Sequence, residues 1–454
     1  MRAGSRRMRA ALGAALALAA IAAGLGVVTT GRSGVTRQPG PSPIKHVVIL
    51  FQENHSFDEV LGGMCVRERR CSGSTFGRLS GGNLIPLHAA PDIVPDVTHK
   101  VAAQTTAIDG GRMDGFNLIT GCTASTGYAC YDQYSEGQVP NLTALARNFA
   151  ISDRTFELGP VPSWGGHLHL VAGQTAGFTG DNPHAKPISP TNSGWGCDSF
   201  KDAAWKATPT STPVLIPACI PKVDGTGPYK ASPARWIPTI MDRLEQAHLS
   251  WQIDAPGYGE NGYVWSICPS FADCLYSPQA SHLQASAQAI TDAQQGTLPA
   301  VSIVIPCCGN SQHNLDSMRQ GDNWIGSVVS AIMNGPDWSS TAIFITYDDC
   351  GCFYDHVAPP SGLGIRVPMV IVSPYARSRS TDSTTASFAS MLAFVEHTFG
   401  LAPLSNADAN AYDYANSFNF RQTPLGPVTL EQHPLSPSEQ AWLQAHPPAP
   451  DDPT

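Results

Sequence analysis

Two neighbouring acids offer the first sign of chemistry in this chain. Asp348-Asp349 directly follows a β-branched and aromatic run at residues 342–347. Adjacent carboxylates in apolar surroundings repel one another, so a cation or a shared proton must offset them. Hard oxygen donors of this kind suit a divalent metal ion. A second group, Glu53-Asn54-His55-Ser56-Phe57-Asp58, places five oxygen- or nitrogen-bearing side chains within six residues, just after Val47-Val48-Ile49-Leu50-Phe51. The plainer reading of that segment is a solvated loop in which Asp58 caps a helix. A third is Ser163, in Gly159-Pro160-Val161-Pro162-Ser163-Trp164-Gly165-Gly166-His167, ahead of a helix-like apolar run at 168–172. A hydroxyl at a helix start lies where backbone N–H groups and the macrodipole favour an oxyanion or a phosphate. As a bare N-cap it would do no chemistry.

These groups need strands to hold them. The runs 47–51, 300–305 and 342–347 are short, apolar and rich in β-branched residues, the pattern of strands buried on both faces of a parallel sheet. Residues 366–373 and 251–253 read as further strands. Helical spacing falls at 140–148, 236–249, 281–295, 322–333 and 388–399. The expected architecture is α/β, a largely parallel central sheet flanked by helices. Chemistry in such sheets collects at the carboxyl ends of the strands, where Glu53, Asn54, Asp348, Asp349 and His313 all fall. The polar, Pro-rich stretch 178–233, with Trp195 and Trp205, reads as an insertion over the site mouth. The segment 403–454 reads as a Pro-rich tail without a core role.

The 454 residues carry a net charge of -9, and only 14% are charged. An acidic body argues against nucleic acid as a partner and against a purely electrostatic hold on anionic membranes. Residues 1–30 combine Arg2, Arg6, Arg7 and Arg9 with a long apolar run, the pattern of an export signal. Ser5-Arg6-Arg7 matches the start of a twin-arginine signal in part. An uncleaved anchor is the competing reading, because the run approaches spanning length. Residues 31–43 form a linker, and 44–402 the main domain. Export predicts that the twelve cysteines mostly pair. Close neighbours point to Cys65–Cys71, Cys122–Cys130, Cys197–Cys219 and Cys268–Cys274. Cys307-Cys308 and Cys350/Cys352 each follow a core strand and could join across it. A zinc or redox role for the last two is disfavoured, since CxC lacks a second thiol pair.

The segments ENHSFD at 53–58, DGGRMDGF at 109–116, the GP...SWGGH stretch at 159–167, ITYDDCGCFYDHVAPP at 345–360 and RVPMVIVSPYAR at 366–377 occur in one order. Together they resemble the bacterial phospholipase C / acid phosphatase phosphoesterase family, related in fold to alkaline phosphatase. The resemblance covers about residues 44 to 401. It implies one divalent metal ion held by Glu53, Asn54, Asp348 and Asp349, and Ser163 as nucleophile where many members have Thr. It implies that His167, His313 and His356 contact or protonate phosphate, with His99 and Asn54 also at the substrate. Arg112 stands where Lys is common, Cys352 where Gly is usual, and Cys350 where an aromatic or His is usual. The expected substrate is a phospholipid or another phosphate ester, with peripheral membrane contact. The activity implied is that of a phospholipase C, releasing diacylglycerol and a phosphorylated head group. A phosphomonoesterase is the alternative, and a secreted surface-binding protein without activity is a third. Residue types fix neither the metal's identity nor the oligomeric state.

Overall fold

The computed structural model describes residues 42–185, 194–226 and 232–447. The export signal and most of the linker lie outside the described residues, as do parts of the 178–233 stretch. Eight strands form the central sheet: β1 (His46–Gln52), β2 (Ala150–Ser152), β3 (Trp251–Asp254), β4 (Leu283–Gln284), β5 (Val301–Val304), β6 (Thr341–Tyr347), β7 (Met369–Val372) and β8 (Thr381–Asp382). Their spatial order is β4-β3-β5-β1-β6-β7-β2-β8. β1 lies at the centre and pairs in parallel with β5 and β6. From Val47 to Gln52 every residue of β1 is buried, which explains a continuous apolar run rather than an alternating one. β7 departs from the parallel set and runs antiparallel to both β6 and β2. The α/β reading with a largely parallel sheet is borne out.

Helices α1 (Pro140–Asn148), α2 (Ser163–Ala172), α3 (Ile240–Gln246), α4 (Gln288–Gln295), α5 (Met318–Asn334) and α6 (Phe388–Phe399) accompany the sheet. Three differ from expectation, the helix expected over 322–333 starting already at Met318 behind a Ser317 cap that accepts from Gln320 N. The helix expected over 236–249 shrinks to α3, because Pro238 precedes a Thr239 cap that accepts from Asp242 N and closes a reciprocal capping box. The one expected over 281–295 begins only at Gln288, since Leu283 and Gln284 pair with Ile253 and Asp254.

The tail is also different from its reading. Tyr414 and Phe418 are buried and pack on Phe344 of β6, and Phe418 also stacks on Phe394 of α6 at 5.0 Å. Within the 178–233 stretch, Lys201–Trp205 pairs antiparallel with both His184–Ala185 and Val214–Pro217. Trp195 is buried and Trp205 gives its indole N–H to Ala176 O, so both belong to packing.

All four close cysteine pairs are disulfides: Cys65–Cys71, Cys122–Cys130, Cys197–Cys219 and Cys268–Cys274. Cys307, Cys308, Cys350 and Cys352 remain thiols. The expected link between the two sets fails for a simple reason. They follow β5 and β6, and β1 lies between those strands. Two strand spacings of roughly 4.8 Å each exceed the Cα separation a disulfide spans.

Candidate active site

Strand register assembles the acidic groups. Gln52 stands opposite Tyr347 in the β1–β6 pair, so the next residues, Glu53 and Asp348, emerge side by side. Asp348 N donates to Gln52 O at 2.9 Å, and Asn54 N donates to Asp348 Oδ1 at 3.0 Å. Asn54 takes a left-handed backbone (φ 62), which Asn tolerates better than most residues. Gly351 supports that turn: a Cβ there would meet Asn54 O at 2.1 Å.

The hydroxyl arrives from α2. Ser163 is its first residue, with Pro162 as cap, so it does not act as an N-cap. Ser163 Oγ donates within reach of Asn54 Oδ1 at 3.2 Å and Asp349 Oδ2 at 3.4 Å. Close approach of the helix depends on Gly166, where a Cβ would lie 2.5 Å from Asp348 O. Gly166→Ala must therefore push α2 away from the acids. Turnover is expected to fall about 100-fold, as a misplacement of roughly 1 Å can cause. Steady-state rates beside a circular dichroism spectrum check this, and an unchanged rate would mean the contact is slack.

Three histidines complete the cluster. His167 Nε2 lies 3.1 Å from Glu53 Oε1 and 3.9 Å from Asp348 Oδ2, its ring edge-on to Phe51. His99 Nε2 is 3.9 Å from Asp349 Oδ2, and its Nδ1 bonds Val97 O. His313 Nδ1 bonds Asn314 O at 2.8 Å, and Trp265 lies tilted against its ring. Glu53, Asn54, His99, Ser163, His167, Asp348 and Asp349 are fully buried, and His313 nearly so.

The Asn54 amide reports on what belongs here. One of its terminal atoms lies 3.0 and 3.2 Å from the Asp349 oxygens and 3.2 Å from both Asp348 Oδ1 and Ser163 Oγ. The other lies 2.7 Å from His313 Nε2. With NH2 towards the acids, hydrogen bonds alone satisfy the group, and the amide oxygen accepts from His313 Nε2–H. With the oxygen towards the acids instead, only acceptors and a hydroxyl face it. A cation among those oxygens would offset the repulsion, and the NH2 would then donate to a bare His313 Nε2 while Nδ1–H keeps Asn314 O. The donor set fits a hard divalent ion. Glu53, His167 and Asp348 also offer ligand atoms within 4.8 Å of one another.

His356 lies elsewhere. Its Nδ1 pairs with Asp58 Oδ2, its Nε2 lies 3.3 Å from Ser72 Oγ, and its hydrogen bonds do not reach the Ser163 cluster. Asp58, Asp355 and His356 form a second metal-like trio. Its cation is already supplied by fully buried Arg366, whose Nη2 lies 3.1 Å from Asp58 and 2.9 Å from Asp355 and which stacks on Phe57. Burial pushes the Asp355 carboxyl up to about 6 despite that guanidinium. Burial also works against a charged His356, but the hydrogen bond and charge of Asp58 outweigh it and raise the ring's pKa. A raised folded pKa stabilises the fold fully below the unfolded value of 6.5, and the gain is lost as pH climbs through the folded value. The melting-temperature gap between the native protein and His356→Gln should thus narrow as pH rises through that value. A constant gap from about pH 5 to 9 would mean the ring carries no charge.

Residue patterns did not single out Trp265 or the Asp58–Arg366–Asp355 group. Trp265 lies in a short 3-10 helix, Tyr263–Ser266, with no periodic signal, whereas the Asp58 and Asp355 positions lay inside motifs already singled out.

A buried hydroxyl at a helix start thus faces paired carboxylates that suit a divalent ion, an arrangement suited to hydrolysis of a phosphoric ester. The chain belongs to the phosphoesterase family, whose pattern matches residues 44–402. It is 23% identical to phospholipase C A of Mycobacterium tuberculosis, across 87% of this chain and 82% of that one. To non-specific phospholipase C6 of Arabidopsis thaliana it is also 23% identical, across 86% and 75%. Among solved structures, an alkaline phosphatase superfamily protein from Vibrio parahaemolyticus is similar at a TM-score of 0.36 and 11% identity, covering 82% of this chain and 71% of that one. No helix among the described residues is long and apolar enough to cross a membrane.

Proposed function

We propose that the protein is an exported phospholipase C-type enzyme that splits glycerophospholipids into diacylglycerol and a phosphorylated head group. The observation that carries the hydrolytic reading is the Ser163 hydroxyl, placed against Asn54 and Asp349. The phospholipid reading draws support from relatives named phospholipase C that align with more than four-fifths of the chain. Glu53, Asn54, Asp348 and Asp349 would hold a divalent ion, with His167 beside Glu53 and Asp348. Such an ion supplies a Lewis acid that eases loss of a hydroxyl proton and offsets phosphoryl charge.

The chain's own groups do the rest. Ser163 Oγ attacks phosphorus in line and forms a phosphoseryl intermediate, with Asp349 Oδ2 in reach of the departing proton. The N-terminus of α2 adds a favourable dipole for the phosphoryl oxygens. His313 takes up a proton at Nε2 in place of its Asn54 contact and, as the imidazolium, protonates the leaving alcohol oxygen, and His99 helps orient the phosphate. Water then cleaves the phosphoserine. His356, pointed at Asp58, serves the fold around the site.

Trp195 is buried and Trp205 bonds Ala176 O, so neither side chain argues for a lipid substrate, which keeps a phosphomonoesterase in play. Parallel assays on phosphatidylcholine vesicles and p-nitrophenyl phosphate decide between them. Release of diacylglycerol as the faster reaction is expected. Preferential hydrolysis of the monoester would make the protein a phosphatase.

A further inference from the structure

His55 stands next to Asn54 but turns away from it, and no step above uses it. It is fully buried, as is Glu59. His55 Nδ1 lies 2.7 Å from Glu59 Oε2, and Nε2 lies 2.7 Å from the backbone oxygen of Gln312. A carbonyl oxygen only accepts, so Nε2 carries the hydrogen. Nδ1 of the neutral ring is then an acceptor, and the carboxylic acid of Glu59, kept protonated because burial raises its pKa, donates to it and fixes the ring's orientation.

The bonded peptide is an unusual one. Gln312 has a left-handed backbone (φ 66), a conformation a residue of this size holds only when its surroundings enforce it. Its side-chain oxygen accepts from Tyr347 Oη at 2.7 Å, and its side-chain nitrogen donates to Met318 O at 2.9 Å. Tyr347 immediately precedes Asp348. The Gln312 residue is thus clamped by the segment that carries Asn54 and by the segment that carries Asp348. The next residue is His313.

We infer that His55, oriented by Glu59, and Tyr347 are positioning residues: their bonds to Gln312 hold its strained peptide so that His313 stays aligned with the leaving oxygen. This deepens the reading above, on which it rests through the proton-donor role of His313. Losing the His55 bond releases one side of the clamp and lets the 310–316 loop relax. A general acid contributes on the order of 10²–10⁴-fold, and its worth is greatest for leaving groups that cannot depart as anions. A displaced His313 therefore harms alkyl esters more than nitrophenyl esters.

The test compares p-nitrophenyl and benzyl esters of phosphate and phosphocholine, using whichever series the metal-loaded enzyme turns over. His55→Leu should lower kcat about 100-fold on the benzyl ester and only a few-fold on the nitrophenyl ester. His55→Gln, which restores an N–H near the Nε2 position, should recover most of that loss. Tyr347→Phe removes one hydroxyl with little change in volume and should show a smaller loss with the same bias. It carries the test if His55→Leu does not fold. His313→Ala separates the two ideas. If that variant shows the leaving-group bias while His55→Leu, or Tyr347→Phe in its stead, loses activity equally on both esters, the positioning inference is overturned. Absence of bias in His313→Ala itself overturns the proton-donor reading and the inference with it.

Discussion

Replacing Ser163 with Ala should abolish turnover while the protein stays folded. The hydroxyl's hydrogen bonds to Asn54 and Asp349 are long, at 3.2 and 3.4 Å, and it does not cap α2, whose cap position is Pro162. Its removal therefore leaves the helix start intact and costs about 1 kcal/mol or less for a modest hydrogen bond. Catalytically the loss is of another order. Without Oγ no phosphoseryl intermediate forms, and deleting a nucleophile typically removes a factor on the order of 10⁴ or more. Stopped assays with a melting curve on the same sample check both halves. A variant that keeps even a tenth of the native rate would take Ser163 out of the reaction.

Stripping the divalent ion should be nearly as damaging and leaves a second trace. Asp348 and Asp349 are both fully buried, with the Asn54 amide and the Ser163 hydroxyl against them. Without a cation, that many oxygens can coexist only if the amide turns its NH2 towards the acids or a carboxylate takes up a proton. Exhaustive chelation should erase activity, and a divalent ion added back should restore it. An ion at about one hundred times its dissociation constant adds roughly 2.7 kcal/mol to the folded state, so the melting temperature should rise on reloading. The Asp349→Asn variant should show little of that rise. Chelated protein that melts and turns over like the untreated enzyme would sink the metal site.

Much of the site was legible because its geometry follows from chain order. β1 and β6 are each marked by a β-branched run, and each delivers its ligands one residue past its end. Once the two strands pair, little freedom remains in where Glu53 and Asp348 lie. Local patterning could not show partners fixed by distant chain. Leu283 and Gln284 look helical until Ile253 and Asp254 claim them. Nothing in residues 366–373 announces that β7 runs opposite to β6. The tail's Tyr414 and Phe418 are isolated aromatics, and their burial is decided by Phe344 and Phe394. His356 illustrates the same limit at the site. Its motif neighbours include Asp348 and Asp349, yet its spatial neighbours are Asp58 and Ser72.

The pairing of Gln52 with Tyr347 also shapes how the molecule comes to life. Successive side chains of a strand face opposite sides, so sliding one strand by a single residue would send Glu53 and Asp348 to opposite faces. Such a misthreaded molecule could look compact and well ordered yet would be chemically silent. Recovery of enzyme activity after dilution from denaturant should then count correctly threaded molecules, and should lag behind signals that merely sense collapse.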